Sequence, residues 1–205
     1  MTAIPDPDLL ARAAACLDGG GTLLLPTDTV LGLAARADLP QAVARIFALK
    51  DRPAEKNLPV MVTGTEQLIA IGAVIDETVR RLMASPFCPG PLTIALALDS
   101  GRAPDWLAGR QELAFRIPDD AFLLALIART GPLTVTSANR SGKPTPDDTE
   151  GALAQLTAAP DMVIAGRSRG AQPSTLVNCR HHPPQIERQG AVLPADLAPY
   201  MAGAA

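Results

Sequence analysis

Residues 92–98 read Leu-Thr-Ile-Ala-Leu-Ala-Leu, an almost wholly apolar run of strand length. Such a run suits a strand buried on both faces, as in sheets covered by helices on either side. Pro89-Gly90-Pro91 sets a rigid turn immediately before it. The expectation is therefore a central strand of a covered sheet. A chain of 205 residues, 47% of them apolar, can build the core this requires as one domain.

Several function classes are excluded early. No apolar run reaches the roughly eighteen residues of a membrane-spanning helix, and the first residues, Met-Thr-Ala-Ile-Pro-Asp-Pro-Asp, carry neither a basic stretch nor an apolar signal core. This places the chain in the cytoplasm, away from membranes. Cys16, Cys88 and Cys179 are odd in number and far apart, which suits reduced thiols better than disulfides or a zinc site. Cys88 reads as a packed thiol because no histidine stands where its base would be. His181 and His182 are adjacent and precede two prolines, a surface turn and not a metal site. A net charge of -3 argues against gripping nucleic acid by bulk electrostatics, though a local basic cleft stays open, and 3% aromatics argues against a base-stacking platform.

Taken in order, Asp6-Pro7-Asp8 with Leu9, Leu10, Ala13 and Leu17 predicts a capped amphipathic helix closed by Gly19 to Gly21. A strand from Thr22 to Leu25 stops at Pro26 and delivers Thr27, Asp28 and Thr29 into a loop. Asp38 and Pro40 open a second helix with an apolar stripe of Val43, Ile46 and Phe47, on which Lys50 is the next residue. Pro59 to Val62 reads as a strand, and Thr65 to Gly72 and Ile75 to Ser85 as helices. In Glu112 to Pro118, alternation sets Leu113, Phe115 and Ile117 on one face and Glu112, Ala114 and Arg116 on the other. Asp119 or Asp120 caps a helix over 121–128, and Thr145-Pro146 has the form of a helix start. Short strands follow at 162–165, 174–179 and 185–188, then an apolar, proline-broken tail from 191 to 205.

Candidate site residues come from the loops of this pattern. Leu133 to Thr136 is a strand that runs into Ser137, Ala138 and Asn139. If the extended form persists, Ser137 and Asn139 point the same way at a strand's carboxyl end, where open α/β sheets bind ligands; the alternative is a Ser/Asn turn. Lys50 either offsets the helix dipole or, with Arg52 turned out by Pro53 and Lys56 behind, forms a phosphate clamp. Arg116 ends a strand on the non-core face, free for a carboxylate or for an internal salt bridge. No glycine-rich phosphate loop is present.

The ordered motifs Pro-Thr-Asp-Thr-Val-x-Gly-Leu, Lys-x-Arg-Pro, Pro-Gly-Pro-Leu-Thr, Arg-x-Pro, Ser-x-Asn-x-Ser-Gly and Ser-Thr-x-Val closely resemble the YrdC/Sua5 family from about residue 21 to 190. The resemblance implies a single-domain α/β fold, a twisted open mixed sheet with flanking helices and a positively charged concave ligand cleft, without the second domain of longer members. It implies synthesis of threonylcarbamoyl-AMP and pyrophosphate from L-threonine, bicarbonate and ATP. That product would feed N6-threonylcarbamoyladenosine formation at tRNA position 37 through downstream threonylcarbamoyl-transfer proteins. By motif, Lys50, Arg52, Ser137 and Asn139 match the family's catalytic signature. Thr29, Met61, Arg116 and Ser174 match threonine-contacting positions, and Arg52, Lys56, Ser137, Thr145 and Arg188 match ATP-contacting ones.

This chain departs from the family pattern in Leu31 for an aromatic, Met61 for a histidine, Gln172-Pro173 before Ser174, Asn178 for an aspartate and Gln189 for a proline. Magnesium is expected to arrive with ATP, since the sequence offers no dedicated carboxylate cage, and no organic cofactor or resident metal is expected. The competing readings are a module that binds double-stranded RNA or tRNA through the concave face, and a carbamoyltransferase component.

Overall fold

The computed structural model describes residues 5–53 and 57–202. The proposed phosphate ligand Lys56 lies outside them. In order, the described elements are α1 (Pro7–Asp18), β1 (Leu23–Leu25), β2 (Gly32–Arg36), α2 (Pro40–Lys50), β3 (Val60–Met61), α3 (Thr65–Ala70), α4 (Glu77–Met83), β4 (Leu92–Ala97), β5 (Glu112–Arg116), α5 (Ala121–Thr130), β6 (Leu133–Ser137), α6 (Thr149–Gln155), β7 (Met162–Val163), β8 (Thr175–Asn178), β9 (Gln185–Arg188) and α7 (Pro194–Met201), with a short 3-10 turn at Asp105–Leu107. Among the described residues, no helix is long and apolar enough to cross a membrane.

All strands join one open mixed sheet in the order β7-β1-β2-β6-β3-β5-β4-β8-β9. Its register decides which side chains share a face. Ala34 pairs with Leu23 and Val135, Gly32 with Leu25 and Ser137, Met61 with Leu133 and Arg116, Ala95 with Ala114, and Thr93 with Leu176. These residues line one face. At its β1–β3 end, Leu23, Leu25, Leu133, Val135 and Met61 are covered by Ala13, Ala14 and Leu17 of α1 and Leu123, Leu126 and Ile127 of α5. The cover stops there, and the face continues over β5, β4 and β8 without a helix among the described residues, which leaves a cleft.

The opposite face is covered by helices towards both ends. Leu24, Leu33 and Ala35 pack on α2 and α6, while Val60, Phe115, Ile94 and Val177 pack on α3, α4 and α7. The expected alternation in β5 is thus observed, with Leu113 and Phe115 in the core and Arg116 on the cleft side.

Five local expectations need correction. First, β4 is interior, paired with β5 and β8, but the two-residue β3 stands in the middle of the order. Second, the buried stripe of α2 is Ala42, Ile46, Leu49 and Lys50, with Val43 and Phe47 only partly covered. The small Ala42 lets the helix lie close to β2, so shape and not hydrophobicity chose the face. Third, Asp38 does not cap α2; its carboxylate takes the Arg36 guanidinium at 2.7 and 3.0 Å. Fourth, Thr145 is not a helix cap, because α6 starts at Thr149 and the Asp148 side chain accepts from the Gly151 N–H. Fifth, the extended run ends at Ser137, so Ser137 and Asn139 do not share a strand face. The Gly-Leu-Ala-Ala-Arg strand β2 and the helix α7 within the tail were not anticipated.

Candidate active site

A cavity of about 250 Å3 opens on the uncovered half of the first face. Strand ends and loops from eight parts of the chain meet there: Thr27, Thr29 and Leu31 before β2, Arg52 and Asn57 after α2, Met61 of β3, Arg116 of β5, Ser137 of β6, and Thr93, Ser174 and Arg188 around β4, β8 and β9. The site lies across the sheet face and not only at the carboxyl end of β6. Arg52, Met61, Arg116, Ser137, Thr29, Ser174 and Arg188, named from the sequence, are brought together; Lys50, Asn139 and Thr145 do not line the cavity.

The corner around Arg116 is the most constrained. Its Nε donates to the Gly90 carbonyl at 2.8 Å, Nη1 to Thr29 Oγ1 at 2.7 Å and Nη2 to Asp28 Oδ2 at 2.6 Å. Arg116 and Asp28 are 5% and 7% exposed in their side chains, so this is a buried ion pair. Of the two open alternatives, the internal salt bridge is present, and Arg116 still faces the cavity. The fork leaves one N–H on each terminal nitrogen outside these bonds. Burial pushes the guanidinium's pKa down and Asp28 pushes it back up. Asp28 Oδ2 also accepts from the Asp119 N–H at 3.1 Å, while Oδ1 is buried with no partner among the described residues.

Thr29 is oriented from behind. Thr27 Oγ1 donates to the Val30 carbonyl at 2.6 Å and accepts from the Thr29 N–H at 3.1 Å. Gly32 makes room for this loop, because a β-carbon there would sit 3.0 Å from both Thr27 Cγ2 and Val135 Cγ1. Across the cavity, Ser174 Oγ lies 2.6 Å from Thr93 Oγ1 and accepts from Arg188 Nη2 at 3.1 Å. Arg188 Nε and Nη2 both donate to the Ser174 carbonyl. Gly190 permits this closure, since a β-carbon there would collide with the Pro173 carbonyl oxygen. Gln189 in place of proline therefore does not displace Arg188.

Lys50 and Arg52 part company. At Asp51 the chain adopts a left-handed conformation, φ 49° and ψ 50°, and the Arg52 N–H returns to the Phe47 carbonyl at 3.0 Å. The turn thus comes one residue before the position attributed to Pro53. It sends Arg52 to the cavity, where its Nη2 donates to the Asn57 carbonyl at 3.2 Å. Lys50, 1% exposed, points inward. Its ammonium donates to the Ser137 carbonyl, to the Asn139 carbonyl at 2.6 Å and to Asn139 Oδ1 at 3.4 Å. Every N–H of the ammonium is taken. Burial and the nearby Arg52 lower its pKa to about 8. Asn139 fixes the same loop, with Nδ2 donating to the Arg140 and Lys143 carbonyls and Oδ1 accepting from Thr145 Oγ1 at 3.4 Å.

The electrostatics follow. Arg52, Arg116 and Arg188 line the cavity, and no Asp or Glu is among its described lining residues. Burial lowers the pKa of Arg188, and the charges of Arg116 and Arg52 lower it further, so the three guanidinium groups repel one another across the cavity. A polyanion relieves that repulsion. Residues that sequence reasoning missed are Thr93, which holds Ser174, and Asp28, the partner of Arg116. Their contacts span long sequence separations and leave no periodic signal. Burial pushes the thiols of Cys88 and Cys179 up to about 11 and about 12, which keeps them protonated at neutral pH. No cluster of three metal-ligating side chains exists among the described residues.

A family model for Sua5, YciO and YrdC proteins, described as telomere recombination, matches residues 15–190. A Bacillus subtilis (strain 168) protein named threonylcarbamoyl-AMP synthase is 34% identical over 190 residues, 91% of this chain and 54% of that protein. A protein of the same name from Xanthomonas euvesicatoria pv. vesicatoria is 37% identical over 177 residues, 83% of this chain and 93% of that protein. The crystal structure of P. abyssi Sua5 complexed with L-threonine superposes with a TM-score of 0.87 at 30% identity, covering 98% of this chain and 59% of that one. The chain thus spans little more than half the length of the B. subtilis and P. abyssi proteins.

Proposed function

The chain belongs to the Sua5/YciO/YrdC family, and from that premise we propose that it is a threonylcarbamoyl-AMP synthase. The substrates are L-threonine, bicarbonate and ATP. Threonine's neutral amine adds to the carbon of bicarbonate with loss of water, giving an N-carboxylate. An oxygen of that carboxylate attacks the α-phosphorus of ATP, and the bond to the β,γ-pyrophosphate breaks. No covalent enzyme intermediate is needed, so the protein's part is positioning and charge stabilisation.

The observation that carries this reading is the cavity with three arginines, and no carboxylate, among its described lining residues. Arg116, with Thr29 and Ser174, holds the threonine carboxylate; Leu31 and Met61 form the apolar wall for its methyl group. Arg52 and Arg188 oppose the charge of the phosphates, and Ser137 orients the reacting groups between them. Lys50, Asn139 and Thr145 act through Ser137 and its loop, without touching a ligand. Magnesium would enter with ATP, since the described lining offers hydroxyls and an amide but no carboxylate. The adenylate passes to threonylcarbamoyl-transfer proteins acting on tRNA in the cytoplasm, and tRNA or double-stranded RNA would meet the cleft face.

The test is pyrophosphate release measured with each substrate omitted in turn, with mass spectrometry of the product. Release should require ATP, bicarbonate and L-threonine together. Undiminished turnover without threonine would exclude this reaction. Serine should be used about tenfold less well, because a missing methyl contact in an apolar wall is worth roughly 1 to 3 kcal/mol.

A further inference from the structure

The helix-covered face of the sheet holds a second opening, which the proposed reaction does not use. It is a cavity of about 420 Å3 between α2, β3 and the segment that contains the 3-10 turn, a size suited to a small organic ligand. Val43 and Phe47 form one wall, Leu58 and Val60 the floor, and Trp106 stands with Arg110 on the other side. α2 therefore carries two apolar stripes. Ala42, Ile46 and Leu49 go to the core, and Val43 and Phe47 face this cavity.

The polar groups here lack partners. Arg110 is partly exposed, and its guanidinium makes no hydrogen bond or ion pair among the described residues. Thr134 is 4% exposed and lines the cavity, and its hydroxyl has no partner among them either. The same holds for the indole N–H of Trp106. These groups open to the cavity, and a guanidinium without an ion pair beside apolar walls suits a ligand that joins an anionic hydrogen-bond acceptor to an apolar ring. The groups are all able to donate, and one is cationic.

We infer that this cavity is a binding site for a small aromatic carboxylate. Its ring packs against Phe47, Val43 and Trp106, and its carboxylate takes the donors of Arg110. The site also has a route to the first cavity. Leu58 and Val60 face it, while Asn57, Pro59 and Met61, which alternate with them, line the arginine-rich cavity. A ligand on the helix-covered face thus presses on the same short strand that carries the threonine wall.

Trp106 is the only tryptophan in the chain, so its emission reports on this cavity alone. The full chain is titrated with 4-tert-butylbenzoate and, as the neutral control, 4-tert-butylbenzamide. The expected result is a saturable change in Trp106 emission with the carboxylate at least about tenfold tighter than the amide. Arg110→Gln should bring the carboxylate down to the level of the amide, and Ala44→Trp, monitored by calorimetry, should abolish both. Saturating MgATP should leave the probe in place. No saturable change up to about 1 mM, equal affinity for the two probes, an unaffected Arg110→Gln variant, or displacement of the probe by MgATP each overturns the inference. Thermal unfolding of the variants separates a lost site from a lost fold. None of these readouts depends on the adenylation reaction.

Discussion

Two buried cations frame the site and are held in different ways. Arg116 is compensated by the carboxylate and hydroxyl of Asp28 and Thr29 on one loop and by the Gly90 carbonyl on another. Lys50 is compensated by the Ser137 carbonyl and by two oxygens of Asn139, all within one short loop. The planar fork of arginine satisfies its surroundings and keeps N–H groups for a ligand, whereas the compact ammonium of lysine is used up. One cation serves the cavity directly; the other serves the loop that carries Ser137. A cation placed near a proposed phosphate site by sequence pattern is therefore not yet a phosphate ligand.

The sharpest test of that difference is Arg116→Ala. It removes a proposed threonine ligand and leaves Asp28 as an unpaired buried charge, a loss of about 3 to 5 kcal/mol where buried pairs are broken. Urea unfolding should show that loss, and threonine-dependent pyrophosphate release should fall by more than about 10²-fold in the protein that remains folded. Arg116→Lys keeps the charge without the fork and should recover folding better than turnover. Full threonine affinity in a folded Arg116→Ala variant would remove the arginine from the amino-acid end of the site.

Arg52→Ala should separate the two functions differently. Arg52 lies on the cavity wall at the end of a helix, so its loss should change stability by less than about 1 kcal/mol. Pyrophosphate release should drop about 10² to 10³-fold, with ATP affected more than threonine. If both substrates weaken equally, the division into an amino-acid end and a phosphate end is wrong. Lys50→Met should do the reverse of Arg52→Ala. It leaves buried carbonyls of the Ser137 loop without a donor, at about 1 to 3 kcal/mol, and speeds amide exchange in residues 137–141. Turnover should fall only about tenfold, through ATP and not threonine.

These expectations also show what the sequence could and could not reveal. The alternation around Phe115 placed Arg116 on the correct side because period two is unambiguous in a strand with one apolar face. Position alone did not say that Asp28 would meet it, since the pair joins residues far apart in the chain. α2 misled for a different reason. Val43 and Phe47 outweigh Ala42 on any hydrophobicity scale, yet the close approach to β2 selects the smaller side chain, and the larger pair lines a second cavity. Lys50 looked like a cation in search of an anion because its partners are mainly backbone carbonyls, which every residue has and no pattern marks. Ser137 and Asn139 were found by motif, but the strand ends between them and gives them separate tasks.

The last expected effect, without consequence at neutral pH, concerns the proton on Lys50. Burial and Arg52 lower its pKa to about 8 in the fold, against 10.5 for an ordinary lysine, while the surrounding oxygens favour the charged form. Between these two values the unfolded chain binds more protons than the folded one. By linkage, this group's contribution to stability then rises with pH across that window, by at most about 1.4 kcal/mol per pH unit. Below pH 8 the contribution is constant, because both states are protonated. Lys50→Met lacks the group, so the stability difference between the native protein and this variant should shift in favour of the native protein as pH rises from 8 to 10. Within the fold, loss of the proton removes one donor from the Ser137 loop, so amide exchange in residues 137–141, corrected for its intrinsic pH dependence, should quicken over the same interval. A flat stability difference and unchanged exchange would mean that the oxygens around the ammonium restore its ordinary pKa. Lys50 would then be compensated as fully as Arg116, and the contrast between the two cations would rest on donor geometry alone.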